Sequence, residues 1–280
     1  MAQTTVNRNA ARRRAATSLA ANALVADVAG KLARSGISVM PVKGALLQHW
    51  LYDDPTERPL TDVDLLVLPA DLEVAVKRLE SAGYRLLARP SFGPVVLRTP
   101  FGLALDLHPS LFDGARYRLS TEELFARSSE DTRLYAVRVQ LPSPLDVYAH
   151  LIGKFGSDHL DGRATGRLDE IARMSARLEP SPETAARHLA HCGMRRVSRY
   201  VLPLVHETTR DSFALQVRDH LPTDRIGDGL ALAAKLVMTN ASPQSSAAAL
   251  VAHLLNHSLP RGVYSGARAL LWRNRKGGEG

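Results

Sequence analysis

The spacing of apolar residues changes character about halfway along this chain. In the first half, short apolar runs alternate with segments of helical period; the second half is helical almost throughout. Ile37, Val39 and Val42 predict a short strand over 37–42, followed by a helix around 45–51. Val63 to Leu68 reads as a buried strand. Pro69 then opens a helix with Leu72, Ala75, Val76 and Leu79 on one face and Gly83 at its C′ position. Further strands are predicted near 84–87, 95–98, 103–108 and 135–141. The loop from Tyr52 to Pro59 carries two prolines.

Beyond Pro142 only helical signals follow. Ser143-Pro144 places a capping serine before proline at the first helical position, and Ser181-Pro182 repeats the device. Helices are predicted near 167–178, 194–206, 212–220, 227–238, 245–256 and 267–272. The pattern therefore predicts an α+β chain: a small mixed-sheet domain over 1–141 with an N-terminal helix, an all-helical domain over 142–273, and a disordered tail over 274–280.

Composition narrows the class. Apolar residues make up 45% and charged residues 23% of the chain, as in ordinary globular proteins. No apolar stretch approaches the roughly 20 residues of a membrane helix, so no membrane partner is expected. Arg12, Arg13 and Arg14 precede an alanine-rich run that looks like an export signal. Asp27, Lys31 and Arg34 continue the segment, however, and Leu19, Ala23, Ala26 and Leu32 keep helical spacing, so an amphipathic first helix is expected. The single cysteine, Cys192, excludes an internal disulfide, suits a cytoplasmic location and reads as a small core residue. A formal charge of +8 favours polyanionic partners such as RNA or nucleotides. Basic residues are nevertheless scattered, without interleaved aromatics for base stacking.

Candidate chemistry centres on Thr61-Asp62-Val63-Asp64-Leu65-Leu66-Val67. Asp62 and Asp64, two apart on a strand, share a face. Keeping both ionised there calls for a cation, and magnesium or manganese with hard oxygen ligands is the natural candidate. A second strand, Leu103-Ala104-Leu105-Asp106-Leu107-His108, sets a carboxylate in an apolar run, where an unpaired charge is costly. Beside the first strand, Asp106 completes a three-carboxylate site, with His108 on its face either holding Asp106 in place or acting as a general base. Upstream, Pro41-Val42-Lys43-Gly44-Ala45 ends a strand and opens a helix whose N–H groups suit phosphate, although taken alone it reads as an ordinary strand-to-helix turn with an exposed lysine. Asp146, His150 and Lys154 form a polar stripe on a later helix, read as a solvated face.

These segments resemble the nucleotidyltransferase superfamily that includes DNA polymerase β. The likeness is closer to a bacterial family known as uncharacterised nucleotidyltransferases. It runs from Gly36-Ile37 through Lys43-Gly44-Ala45, Leu51-Tyr52-Asp53-Asp54-Pro55, Arg58 and Asp62 to Val67, then through Leu79, Gly83-Tyr84 and Leu105-Asp106-Leu107-His108. The resemblance implies a nucleotidyltransferase catalytic domain. In it Asp62, Asp64 and Asp106 are catalytic and bind Mg2+ or Mn2+, and Lys43, Gly44, Arg58 and Lys154 bind the nucleoside triphosphate. One departure from the wider superfamily is Ala45, where many relatives place a serine that reaches a phosphate.

The implied reaction moves a nucleoside monophosphate to a hydroxyl acceptor and releases pyrophosphate. A small molecule or peptide is the favoured acceptor, since similar family members occur near peptide natural-product genes. Transfer to tRNA by a toxin-like or processing enzyme is the alternative: the basic charge suits it, and Arg58-x-x-x-Asp62-x-Asp64 also resembles abortive-infection-type enzymes. A third reading is a non-catalytic nucleotide- or RNA-binding protein.

Overall fold

The computed structural model describes residues 2–90, 93–112, 116–160, 168–240 and 254–255, without the side chains of 2–8, 159–160 and 238–240. The chain divides into two compact units. One comprises Met1–Gly114 and Ser120–Ser143, the other Ala115–Leu119 and Pro144–Gly280.

The first unit is built on five strands, β1 (Met40–Val42), β2 (Asp62–Leu66), β3 (Arg85–Ala88), β4 (Val95–Arg98) and β5 (Ala104–His108), in the order β1-β2-β5-β4-β3. The sheet is mixed: β2 and β5 run parallel, and the other neighbours antiparallel. Alternation gives the sheet two unlike faces. Val63, Leu65, Val67, Leu97, Leu105 and Leu107 form a buried apolar face, packed with helices α1 (Ala2–Ala33) and α3 (Leu72–Ser81). The register puts Asp62, Asp64, Asp106 and His108 on the opposite face.

Of the residues whose spacing predicted an amphipathic α1, Leu32 is buried and Ala26 half-buried, but Leu19 and Ala23 are exposed. Ala21, Leu24, Val25, Val28, Ala29 and Leu32 are buried, whereas Leu19 is 70% exposed. The alanine-rich composition hid the phase, because alanine fits either side of the helix. α1 is fixed by polar contacts as well: Asp27 accepts from Lys31 and from the hydroxyl of Tyr84 at 2.6 Å. α3 follows its prediction, with Ala75, Val76 and Leu79 buried and Gly83 at φ +91° just past its C-cap Ala82.

Short elements complete this unit: α2 (Lys43–Trp50), α4 (Thr121–Ala126) and the hairpin of β6 (Ser129–Asp131) and β7 (Val139–Leu141). β7 lies beside β1, where Gln140 N–H donates to Val39 O at 2.9 Å. Neither α4 nor β6 was legible in the sequence; each is too short to show a period.

The second unit is helical: α5 (Pro144–Leu160), α6 (Leu168–Ser175), α7 (Pro182–His191), α8 (Arg195–Thr209), α9 (Ser212–His220) and α10 (Arg225–Asn240). α5 packs against α6, α7 and α8 and is buried nearly all round. Gly156 admits Val197 of α8 into the space a Cβ would fill. The stripe read as solvated is thus corrected at two of its three positions, since Asp146 and His150 are 1% and 6% exposed. The helices predicted near 245–256 and 267–272 and the disordered tail lie outside the described residues, except 254 and 255. No helix among the described residues is long and apolar enough to cross a membrane.

Candidate active site

The site is assembled by strand register. β2 and β5 pair with Asp62 opposite Ala104, Asp64 opposite Asp106, and Leu66 opposite His108. Parallel neighbours in register present their side chains to the same face, so Asp64 and Asp106 stand side by side. Apolar Leu65 and Leu107 on the reverse face hold both strands in the core. Asp62 begins β2 at a half-buried position, where Oδ1 accepts from the Thr61 hydroxyl at 3.1 Å.

Asp64, Asp106 and His108 each offer a ligand atom, all within 4.8 Å of one another. Asp62 is not in that group, but its charge is felt at Asp106. Burial, and then the negative charges of Asp64 and Asp62, push the Asp106 carboxyl above its ordinary value. Asp64 moves the other way. Burial alone would raise it, but the hydrogen bond from His108 and the charge of Lys43 outweigh that and hold it at about 2. Two adjacent carboxylates whose proton affinities diverge in this way are characteristic of sites that bind cations or move protons.

Lys43 supplies the missing positive charge. Its Nζ lies 2.6 Å from Asp64 Oδ1 and 3.1 Å from His108 Nε2, and His108 Nε2 lies 2.9 Å from the same Asp64 oxygen. His108 therefore bonds Asp64 rather than Asp106, its expected partner. Lys43 reaches this point from the junction of β1 and α2 with φ at +49°, in the left-handed region that side chains rarely occupy. The α2 N-cap, Val42, makes no side-chain capping bond, which leaves the first N–H groups of α2 for another acceptor.

Gly44 and Arg58 meet here. A Cβ on Gly44 would fall 2.7 Å from Arg58 Nη1 and 2.6 Å from Leu60 Cδ2. The glycine thus makes room for an arginine beside the start of α2. Lys154, in the helical unit, donates to both oxygens of Asp158, at 2.7 and 2.6 Å.

The sequence did not reveal what pins α2. Gln48 is fully buried, accepts from Ser18 and donates to Asn22, tying α2 to α1. The Tyr135 hydroxyl donates to Ala45 O at 2.8 Å. These partners lie 26 to 90 residues apart in sequence, beyond the reach of local spacing.

Residues 5–210 match the family described as "Uncharacterised nucleotidyltransferase". The chain belongs to that family. The match takes in every residue of the site from Lys43 to His108, and this nucleotidyltransferase is accordingly an enzyme. No curated protein matches the chain. Among solved structures, the chain is similar to an antigenic nucleotidyltransferase-like protein from Paracoccidioides brasiliensis. The two share 17% identity over 71% of this chain and 93% of that one, with a TM-score of 0.44.

Proposed function

We propose that the enzyme transfers a nucleoside monophosphate from a nucleoside triphosphate to a hydroxyl on a small molecule or peptide, with divalent metal and release of pyrophosphate. The observation that carries this reading is the in-register pair Asp64 and Asp106 beside the Lys43-Gly44 turn.

The donor set fits Mg2+ or Mn2+. Two carboxylates converge, with His108 bonded to Asp64, and the Lys43 ammonium already serves as a cation on Asp64. Asp64 and Asp106 would hold the ion, with Asp62 beside them; when bound, it offsets triphosphate charge and polarises the α-phosphate. The other roles belong to the chain. The first N–H groups of α2 and the side chains of Lys43 and Arg58 bind phosphate oxygens. Asp106 takes the proton of the acceptor hydroxyl. The acceptor oxygen then bonds to the α-phosphorus as the bond to the pyrophosphate oxygen breaks.

A non-nucleic-acid acceptor is favoured because the +8 charge lies on scattered residues without an aromatic stacking surface in the sequence. The test is to incubate the protein with α-labelled triphosphates and fractionated cell extract, then size the labelled product. Label on a small molecule or peptide is expected. Label on RNA would assign the enzyme to tRNA instead, and no labelled product in any fraction would remove the proposal.

A further inference from the structure

A second cluster of metal-ligating side chains lies wholly within the helical unit. Asp146 from the first turn of α5, His188 near the end of α7, and Cys192 at its C-cap bring ligand atoms within 4.8 Å of one another. We propose that these three residues bind a zinc ion, at a site distinct from the carboxylate centre of the sheet.

Convergence is the first argument. His188 Nε2 lies 3.0 Å from Asp146 Oδ1 and 3.5 Å from Cys192 Sγ. Both contacts fall on the same ring nitrogen. A nucleophile–base–carboxylate relay would use the two ring nitrogens separately. With one nitrogen shared, the three groups face a common point. Cys192 is also completely buried, which shuts a substrate away from its sulfur. In tetrahedral zinc sites neighbouring ligand atoms stand about 3.3 to 3.6 Å apart. The two distances here lie within a few tenths of an ångström of that range.

Charge is the second argument. The Asp146 side chain is fully buried, and His188 is 12% exposed beside it. A divalent ion held by one carboxylate, one thiolate and a neutral imidazole leaves the pocket with no net charge. Sulfur and nitrogen ligands favour zinc over magnesium, whereas the oxygen-rich Asp64 and Asp106 pair favours the harder ion.

The backbone fixes the geometry before any ion enters. Cys192 N–H donates to His188 O at 2.9 Å, so one helical turn places both side chains on one face. Gly193, at φ +71°, then turns the chain, and Cys192 O accepts from Arg118 N–H at 2.8 Å. Three protein ligands leave a fourth position for water. Binding would release the thiol proton.

The experiment titrates chelator-stripped full-length protein with cobalt(II) in excess magnesium. A near-ultraviolet thiolate-to-cobalt charge-transfer band is expected, saturating at one equivalent and bleached by zinc. Cys192 is the only cysteine in the chain, so the band reports that residue and no variant need fold for the result to count. It should persist in Asp64→Asn/Asp106→Asn, which separates this site from the carboxylate centre. Loss of a positioning neighbour at a metal site costs about 10- to 100-fold in affinity. His188→Gln removes a ligand outright, so zinc binding should weaken by more than about a hundredfold while the helical circular dichroism is retained. Absence of the band in the unaltered protein, or unchanged zinc affinity in folded His188→Gln, would overturn the proposal.

Discussion

The ammonium of Lys43 lies 2.6 Å from Asp64 Oδ1, on the same oxygen that His108 approaches at 2.9 Å. Under the proposed function a metal ion would use this same carboxylate, so the lysine and the ion would compete for it. On that reading, metal entry would shift Lys43 and make it available to phosphate.

Lys43→Met should therefore separate two effects. The metal-free variant melts at a lower temperature, because Asp64 loses a buried counter-ion. Manganese affinity without nucleotide rises about tenfold, since one charge-assisted hydrogen bond no longer competes. Triphosphate affinity falls. Calorimetric titration of metal and nucleotide separately measures both, and metal affinity equal to that of the unaltered protein would show that Lys43 does not compete.

Backbone strain at the same residue is testable independently. At φ +49° a side chain is disfavoured and glycine is not. Lys43→Gly should be more stable than Lys43→Ala by about 1 kcal/mol in urea unfolding. Equal stabilities would place this residue outside the left-handed region in solution.

Gly44→Ala puts a methyl group into the space used by Arg58 Nη1 and Leu60 Cδ2. The expected cost is about 1 to 2 kcal/mol in stability, with a raised KM for triphosphate as Arg58 is displaced. Since the effect on KM acts through Arg58, Gly44→Ala/Arg58→Ala should raise it no further than Arg58→Ala does. Additive losses would mean Gly44 meets the nucleotide directly.

The two carboxyls predict opposite pH behaviour in the metal-free protein. Asp64 is held at about 2, below its ordinary value of 3.8. Its contribution to stability is present above 3.8 and is lost as pH falls through 2, an effect on the order of 2 kcal/mol. Asp106 is raised, so its contribution is full below 3.8 and is lost as pH rises through the raised value. Asp106→Asn should thus raise the melting temperature at neutral pH while abolishing transfer. A lowered melting temperature there would contradict the charge repulsion described.

The sheet elements were legible because β2 and β5 carry apolar runs long enough to announce buried strands, and a two-residue spacing fixed the face of Asp62 and Asp64. Whether β2 and β5 pair in parallel with Asp64 opposite Asp106 depends on topology, which spacing does not encode. His108 was expected to support Asp106 or to act as a general base; it bonds Asp64, two residues away in register on the neighbouring strand. The first helix was recognised but not its inward face, since exposed Leu19 and buried Leu24 look alike in sequence. Asp146 and His150 were misread because a polar stripe usually marks solvent, and only the packing of α6, α7 and α8 around α5 buries them.

The central claim is that Asp64 and Asp106 together support attack at the α-phosphate. The most direct measurement compares α-labelled and γ-labelled triphosphate with acceptor and magnesium, using the unaltered enzyme, Asp64→Asn and Asp106→Asn. Transfer of the α-label alone to acceptor, with labelled pyrophosphate from the γ-label and loss of both products in each folded variant, is the predicted result. Transfer of the γ-label to acceptor, or full turnover in either variant, would contradict it.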